Sequence, residues 1–264
     1  MTIRNMTLAD LQLVLHWAAS EGWNPGLDDA AAFMAADPQG FFIKEIKGVP
    51  VAAISVVNHT DHFAFLGLYI CHPDHRGQGH GWDIWQAGMA HAGSRTVGLD
   101  GVPDQQANYA KSGFIYASRT IRYEGNLSAG QAIDVAPSTT KLLAVDKVAT
   151  GLKRVGFTSD WFADTAHRKT VAHGDGYATF RKCQDGTKIG PLYANTDAKA
   201  RALLAACPWD GPVYIDVPQE CTALTALVTQ MGFAPVFETA RMYKGAPPDA
   251  KPPAFHAIAT MELG

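Results

Sequence analysis

The sequence has few cysteines and no long apolar run. Four cysteines without CxxC spacing are too sparse for a disulfide scaffold and indicate reduced thiols. No stretch reaches the roughly 18 consecutive apolar residues of a membrane span, and the first residues lack the apolar core of a signal peptide. We therefore expect a cytoplasmic protein with no membrane partner.

An excess of charge of one sign is also missing. The 264 residues include 22 Lys and Arg against 25 Asp and Glu, a net charge of -3. This balance does not attract polyanions, so we expect no nucleic-acid partner, although a local basic pocket for one phosphorylated cofactor stays open. Hydrophobic residues make up 47% and charged residues 18%, as in a globular protein with a sizeable core.

The first half alternates helical and strand patterns. Thr7 precedes apolar residues at helical spacing, and a second helix is predicted over 28–36. Three β-rich runs, over 40–46, 50–57 and 62–70, are separated by short turns and predict an antiparallel meander. The further predicted elements are a helix over 79–92, a strand over 96–100, a helix over 105–111 and a strand over 114–123.

Landmarks of the first half recur in the second half at a nearly constant offset. The β-rich segment around Asp100 recurs around Asp216, 116 residues later, and a Gly-Phe pair recurs from Gly113 to Gly232, 119 residues later. Such self-similarity predicts a duplicated unit of about 120 residues.

The repeat implies two domains. A segment rich in Ser, Ala, Pro and Thr, residues 128–140, is the expected linker between domains 1–127 and 141–264. A final strand is predicted within 255–261, after a Pro-rich stretch. We expect the second domain to pack on the first and close its pocket, with Asp160, Trp161, Arg168 and segment 188–193 as candidate contributors.

A glycine-rich turn follows the third strand of the meander. Arg76 precedes Gly77, Gly79 and Gly81, and a predicted helix follows. Glycines let successive backbone N–H groups converge, and a helix N-terminus adds partial positive charge, so the turn suits a pyrophosphate. The spacing is not the dinucleotide GxGxxG, and no GK[ST] of a P-loop is present, which disfavours nicotinamide and nucleoside triphosphate.

This turn is part of a larger pattern. Segment 73–81, PDHRGQGHG, resembles the acetyl-CoA motif of the GNAT N-acetyltransferases, and segment 109–114, YAKSGF, resembles the Tyr-x-Lys-x-Gly-Phe of the same family. The second half keeps Gly232 and Phe233 but lacks the glycine-rich turn after Tyr193, so it resembles a degenerate GNAT unit. The resemblance implies an α/β (α+β) GNAT fold, with a mixed, mostly antiparallel sheet flanked by helices and present twice.

The resemblance also implies a reaction, the direct transfer of an acetyl group from acetyl-CoA (coenzyme A) to a primary amine. It assigns Tyr109 as the acid that protonates the leaving thiolate, and a backbone N–H near Tyr69 or Ile70 as the donor to the thioester oxygen. Glu21 is a candidate base or amine-binding group. Trp23 and Asn24 are candidate acceptor contacts, with a small-molecule amine favoured.

The cofactor-binding residues implied by the resemblance lie on the third meander strand, the glycine-rich turn and the short helix near 105–111. They are Leu68, Tyr69, Ile70, Arg76, Gly77, Gln78, Gly79, His80, Gly81, Asn108 and Lys111.

Other interpretations stay open. Six of ten histidines fall within 33 residues, and two His-x-x-His pairs offer imidazoles to a metal ion of a hydrolase, although neither has HExxH spacing. A chain that binds acetyl-CoA as a sensor or partner-binding protein, without turnover, is a second alternative. A third alternative is that Cys71 carries the acetyl group as an acetyl-cysteine intermediate. For the acetyltransferase we expect no metal, and a monomer or homodimer. The six histidines are His59, His62, His72, His75, His80 and His91.

Overall fold

The computed structural model describes residues 1–130 and 138–264, and within them twelve strands form one sheet that eight helices flank. No helix in these ranges is long and apolar enough to cross a membrane. The first half contains β1 (Thr2–Asn5), α1 (Leu8–Ser20), α2 (Asp29–Ala36), β2 (Phe41–Ile46), β3 (Val49–Asn58), β4 (Phe63–Cys71), α3 (His80–Ala92), β5 (Thr96–Gly101), α4 (Gln106–Lys111) and β6 (Ile115–Leu127). The second half contains α5 (Thr139–Thr150), α6 (Val155–Trp161), β7 (Arg168–His173), β8 (Gly176–Lys182), β9 (Thr187–Ala194), α7 (Asp197–Ala205), β10 (Gly211–Pro218), α8 (Thr222–Gln230), β11 (Ala234–Lys244) and β12 (Phe255–Ala257).

Local sequence explains where the first helix begins. The Thr7 hydroxyl accepts a hydrogen bond from the Asp10 N–H (3.2 Å), and the Asp10 carboxylate accepts one from the Thr7 N–H (2.8 Å). This reciprocal capping box satisfies two N–H groups that would otherwise lack partners at the start of α1. The three β-rich runs form the antiparallel strands β2, β3 and β4, which confirms the predicted meander.

The two halves exchange their last strands. The sheet order is β1-β2-β3-β4-β5-β11-β6-β10-β9-β8-β7, with β12 paired to β9. The last long strand of the second half, β11, therefore lies beside β5 of the first half, and β6 of the first half pairs with β10 of the second. The predicted linker, 128–140, lies in part outside the described residues, and the boundaries at 127 and 141 stay predictions.

Two buried ion pairs cross between the halves because of this exchange. Arg122 on β6 donates to Asp216 on β10 through two hydrogen bonds of 2.7 and 2.9 Å, and Arg241 on β11 donates to Asp100 on β5 through two of 2.8 and 2.7 Å. The arginines are 119 residues apart, the offset of the repeat. Each half therefore supplies one aspartate and one arginine, and each aspartate pairs with the other half's arginine.

A shared apolar core holds the helices of the two halves together. Phe33 on α2 stacks on Trp161 at the end of α6, with ring centroids 5.9 Å apart, and both side chains are fully buried. The Arg181 guanidinium lies over the Trp161 ring at 4.4 Å. Trp161 is therefore a core residue, and the expectation that it lines a pocket is wrong.

Strands β4 and β5 separate part-way along their length. They pair in parallel only where Phe63–Leu66 faces Thr96–Leu99, and the rest of β4 has no strand partner on that side among the described residues. A bulge against β3 follows, and Leu68 within it has φ 45°, a left-handed value that is costly for a leucine. The separation opens a cleft at the bulge.

The corresponding gap in the second half is filled. Strands β9 and β10 pair only over three residues each, and β12 then pairs with β9 in their cleft. The Ile258 N–H donates to the Asp216 carbonyl at 3.0 Å. The chain then continues toward the first half as residues 258–264, here called the closing segment. This segment contacts the first half, because His59 Nε2 lies 2.8 Å from the Leu263 carbonyl oxygen.

Candidate active site

A cavity of about 460 Å³ occupies the cleft between β4 and β5. The bulged part of β4, the end of α1 and Tyr109 form its first-half walls. Phe237, Thr239, Met261 and Glu262 form the wall that the second half supplies. The predicted closure of the pocket by the second half is therefore observed, but β11 and the closing segment provide it.

The glycine-rich turn lies at one end of this cavity. Gly77 and Gly79 have φ values of 74° and 84°, which glycine adopts far more readily than other residues. Gly79 precedes α3, and the N–H groups of residues 77–81 have no acceptor within the described ranges. Converging free N–H groups at a helix N-terminus fit a diphosphate.

The Arg76 side chain is directed toward α1. It forms an ion pair with Glu21, and its Nε donates to the Cys71 carbonyl at 3.0 Å. The structure thus brings together two residues that the sequence suggested for different tasks. Glu21 lines the cavity, but its carboxylate is already paired with the Arg76 guanidinium. Its role as base stays a prediction.

Tyr109 is a buried tyrosine at the wall of the cavity, and its role as the acid stays a prediction. It lies on α4, lines the cavity and stacks on Trp85 with centroids 5.8 Å apart. Burial raises the pKa of Tyr109 above its ordinary value, so the hydroxyl is protonated at neutral pH. Gly101 makes room for the ring, because a Cβ there would lie 2.9 Å from Tyr109 Cδ2.

Tyr69 connects the bulged strand to the glycine-rich turn. Its ring packs edge-on against Trp85 at 5.4 Å, and its hydroxyl would lie 2.8 Å from a Cβ at Gly81. Gly81 is therefore required for the close approach of Tyr69. Leu68, Tyr69 and Ile70 all line the cavity, and their contacts to a cofactor stay predictions.

Of the two predicted acceptor contacts, the structure places one at the cavity and the other outside its wall. Trp23 lines the cavity, and its carbonyl accepts hydrogen bonds from Arg122 (3.2 Å) and Lys188 (2.7 Å). Asn24 instead binds the second half, because its amide donates to the Asp185 carbonyl at 2.7 Å. Its side chain ties the two halves together outside the cavity wall.

Several predicted cofactor residues lie around the turn without lining the cavity. The Gln78 amide donates to the Asp74 carbonyl at 3.2 Å, and the Asn108 amide donates to the Gln105 side chain at 3.0 Å. Asn108 and Lys111 are exposed on α4, the helix that carries Tyr109. Their contacts to a cofactor stay predictions.

His80 is occupied by structural contacts. It is buried, and its Nδ1 lies 3.0 Å from the Nζ atom of the buried Lys44, which also pairs with Asp83. Burial and the Lys44 charge lower the pKa of His80 below its ordinary value. The ring of His80 is therefore held by Lys44, whereas its backbone N–H has no acceptor within the described ranges.

The histidine-rich region forms no metal centre in the part of the chain that the structure describes. No three His, Cys, Asp or Glu side chains come together there in a way that could hold a metal ion. His91 pairs with Asp37 at 2.7 Å, His59 Nε2 meets the Leu263 carbonyl oxygen, and His80 Nδ1 meets Lys44, so each of these rings has a different partner. Burial raises the pKa of the Cys71 thiol, and Sγ donates to the His75 carbonyl, so Cys71 is a poor nucleophile.

Comparison with known proteins agrees with this architecture. Residues 8–114 match the acetyltransferase (GNAT) family, and residues 142–253 match an acetyltransferase (GNAT) domain. The holothin acyltransferase of Pseudoalteromonas sp. (strain SANK 73390) is 34% identical over 277 residues, covering 100% of this chain and 94% of the relative. The chain belongs to the GNAT family of acyltransferases. Its two GNAT domains stand in tandem, which confirms the predicted duplication and fold class.

Solved structures show the same fold. A proposed acetyltransferase from Pyrococcus horikoshii superposes with a TM-score of 0.81 at 18% identity, covering 100% of this chain and 95% of that one. A tandem GNAT protein from the clavulanic acid biosynthesis pathway superposes with a TM-score of 0.58 at 13% identity, covering 95% and 99%. The tandem arrangement is thus shared by a second GNAT protein.

The residues that the second half brings to the cavity were not predicted from the sequence. The arginines of the two crossed ion pairs, Arg122 and Arg241, carried a usable signal, because they recur at the repeat offset of 119 residues, but only Arg122 lines the cavity and it belongs to the first half. Met261 and Glu262 carried none, because the closing segment has no counterpart in the first half and lies beyond both family matches.

Proposed function

We propose that this GNAT acyltransferase moves an acetyl group from acetyl-CoA to the primary amine of a small molecule. The observation that carries the proposal is the line of free N–H groups at residues 77–81, which leads into a cavity that Tyr109 lines. The turn fits the pyrophosphate of the donor, and the cleft between β4 and β5 leads from the turn to the reacting group.

The residues divide the chemistry among them. Backbone N–H groups of the glycine-rich turn bind the diphosphate, and the bulged strand at Leu68 and Tyr69 lies where a backbone donor would meet the thioester oxygen. Tyr109 holds its proton because burial disfavours the phenolate, and it delivers that proton to the leaving sulphur.

The acceptor is proposed to be a small molecule because the cavity is covered. A volume of about 460 Å³ is typical of small-molecule sites, and both halves wall it. The relative named for holothin supports a small acceptor here by analogy. The cysteines of this chain are all free thiols, which supports a cytoplasmic location.

The decisive experiment follows thiol release with acetyl-CoA over a panel of primary amines. We expect Tyr109→Phe to lower kcat roughly 100-fold while donor binding by calorimetry is unchanged, because phenylalanine keeps the stacking on Trp85. Tyr116→Phe is the matched control, since Tyr116 is 52% exposed on β6. Donor binding without turnover of any amine would favour the sensor function instead, and absence of donor binding would refute the proposal.

A further inference from the structure

Glu262 is a buried acid that the closing segment inserts beside the bulged strand. It is 4% exposed and lines the cavity. Its backbone carbonyl packs on Gly67, one residue before the bulge at Leu68, where the absence of a side chain permits the contact. The closing segment thus brings this residue next to the part of β4 that faces the thioester in the proposed function.

Only one of the two oxygens of the Glu262 carboxylate has a side-chain hydrogen-bond partner among the described residues. Thr260 donates its hydroxyl proton to Oε2, whereas Oε1 has no hydrogen-bond partner among the described residues. Oε1 is not among the fully enclosed side-chain atoms that lack a partner, so this oxygen is open to the cavity and can accept a hydrogen bond from a ligand there. This free oxygen is the feature that points to a ligand.

The charges around Glu262 are committed to other partners. Arg122 holds Asp216 through two hydrogen bonds, Lys188 donates to the Trp23 carbonyl, and Asp100 pairs with Arg241. These groups interact electrostatically with Glu262, but none forms an ion pair of 4 Å or less with it in the described ranges. The Glu262 carboxylate therefore lies in the field of Arg122 and Lys188 but has no direct ion-pair partner among the described residues, which leaves it free to meet an ammonium group in the cavity.

The geometry points to Glu262 as the residue that binds the ammonium group of the acceptor and accepts its proton. This inference rests on the proposed function and names the base that the reaction requires. An amine with a pKa near 10 is almost entirely protonated at pH 7, so the lone pair that attacks the thioester must first be freed. Glu262 takes that proton and passes it to water.

The protons balance. The acceptor nitrogen begins with three protons and ends, in the amide, with one. The first goes to Glu262 before the nitrogen bonds to the acetyl carbon. The carbon–sulphur bond breaks, the sulphur takes the Tyr109 proton, and the second proton lost by the nitrogen restores the Tyr109 hydroxyl.

The test compares the wild type with Glu262→Gln, using acetyl-CoA and the best amine of the panel between pH 7 and 9.5. We expect kcat to fall roughly 100-fold at pH 7 and the loss to shrink as the pH rises, because more acceptor is then already neutral. Glu262→Asp keeps the carboxylate on a side chain that is shorter by one methylene group. Its kcat should therefore fall less than that of Glu262→Gln. Glu238→Gln is the matched control, since Glu238 lies on β11 in a half-exposed pair with Arg119 and should change kcat less than twofold.

The outcomes separate this inference from the proposed function. Equal turnover of Glu262→Gln and the wild type, or a loss that is the same at every pH, would overturn the role of Glu262 while leaving acetyl transfer intact. Inactivity of the wild type on every amine would count against the proposed function. In that case calorimetry with benzylammonium tests Glu262 as the ammonium-binding residue. Binding to the wild type but not to Glu262→Gln supports that role, whereas equal binding to both proteins, or no binding to either, overturns it.

Discussion

Replacing Gly67 by alanine should push the closing segment out of the cavity. A Cβ at Gly67 would overlap the carbonyl oxygen of Glu262 and lie 2.9 Å from its carbonyl carbon and 3.1 Å from its Cα. These atoms belong to backbone, which cannot rotate away as a side chain does. The closing segment must therefore retreat by about 1 Å to restore normal contacts.

The size of the effect follows from that displacement. Overpacking of a tight interior site costs about 1–3 kcal/mol of the free energy of unfolding. A shift of about 1 Å in a group that contacts substrate lowers the rate roughly 100-fold. We therefore expect Gly67→Ala to lose far more activity than stability, because the fold survives while Glu262 is misplaced.

Urea unfolding and the thiol-release assay measure the two quantities on the same protein. Gly156→Ala is the matched control, because a Cβ there meets the Ala35 carbonyl at 3.1 Å, a contact that a few tenths of an ångström relieve, and α6 is remote from the cavity. Wild-type turnover in Gly67→Ala would refute the argument that the closing segment positions the acceptor side of the site.

Two further predictions concern contacts that hold the halves together. Arg122→Met should lower the free energy of unfolding by about 3–5 kcal/mol, because it leaves the Asp216 carboxylate buried without its partner. The double variant Arg122→Met with Asp216→Leu should regain most of that loss. A loss below about 1 kcal/mol in the single variant, measured by urea unfolding, would contradict this prediction. Burial and the Arg154 charge lower the pKa of His59 to about 4, below its ordinary 6.5, so the unfolded chain binds the proton more readily. The stability that neutral His59 provides is complete above pH 6.5 and is lost as the pH falls toward 4, by about 1 to 3 kcal/mol for this partly exposed ring. His59→Asn should flatten that slope in unfolding curves recorded from pH 7.5 to 4, and an unchanged slope would show that other groups cause it.

Much of the first half could be predicted because its signals are local. Thr7 caps its helix through a residue three positions away, and the left-handed conformations of Gly77 and Gly79 are ones that glycine adopts readily. The turn and Tyr109 were assigned from short motifs, and the cavity shows that they lie on one path. Glu21 and Arg76 were both identified, but their mutual ion pair depends on how α1 meets the turn.

The exchange of last strands could not be predicted from the repeat. Because the units are similar, β6 and β11 carry the same pattern, and each supplies an arginine, Arg122 or Arg241, at the same position. Either β6 or β11 could therefore pair with β5 or with β10 and place an arginine opposite the aspartate there. Only the assembled sheet shows which aspartate, Asp100 or Asp216, each arginine meets.

The sequence by itself determined the duplicated α/β fold, the glycine-rich turn and the candidate acid Tyr109, because each depends on residues within about one element of each other. Tertiary structure alone decided which residues form the cavity wall opposite β4, where we propose that the acceptor binds. Glu262 reaches Gly67 across 195 residues of chain through β12 and the closing segment, and no local pattern encodes so distant a contact. The physical reason is that backbone conformation is set by near neighbours, whereas a buried carboxylate gains its chemistry from whatever charges and free space the whole fold places around it.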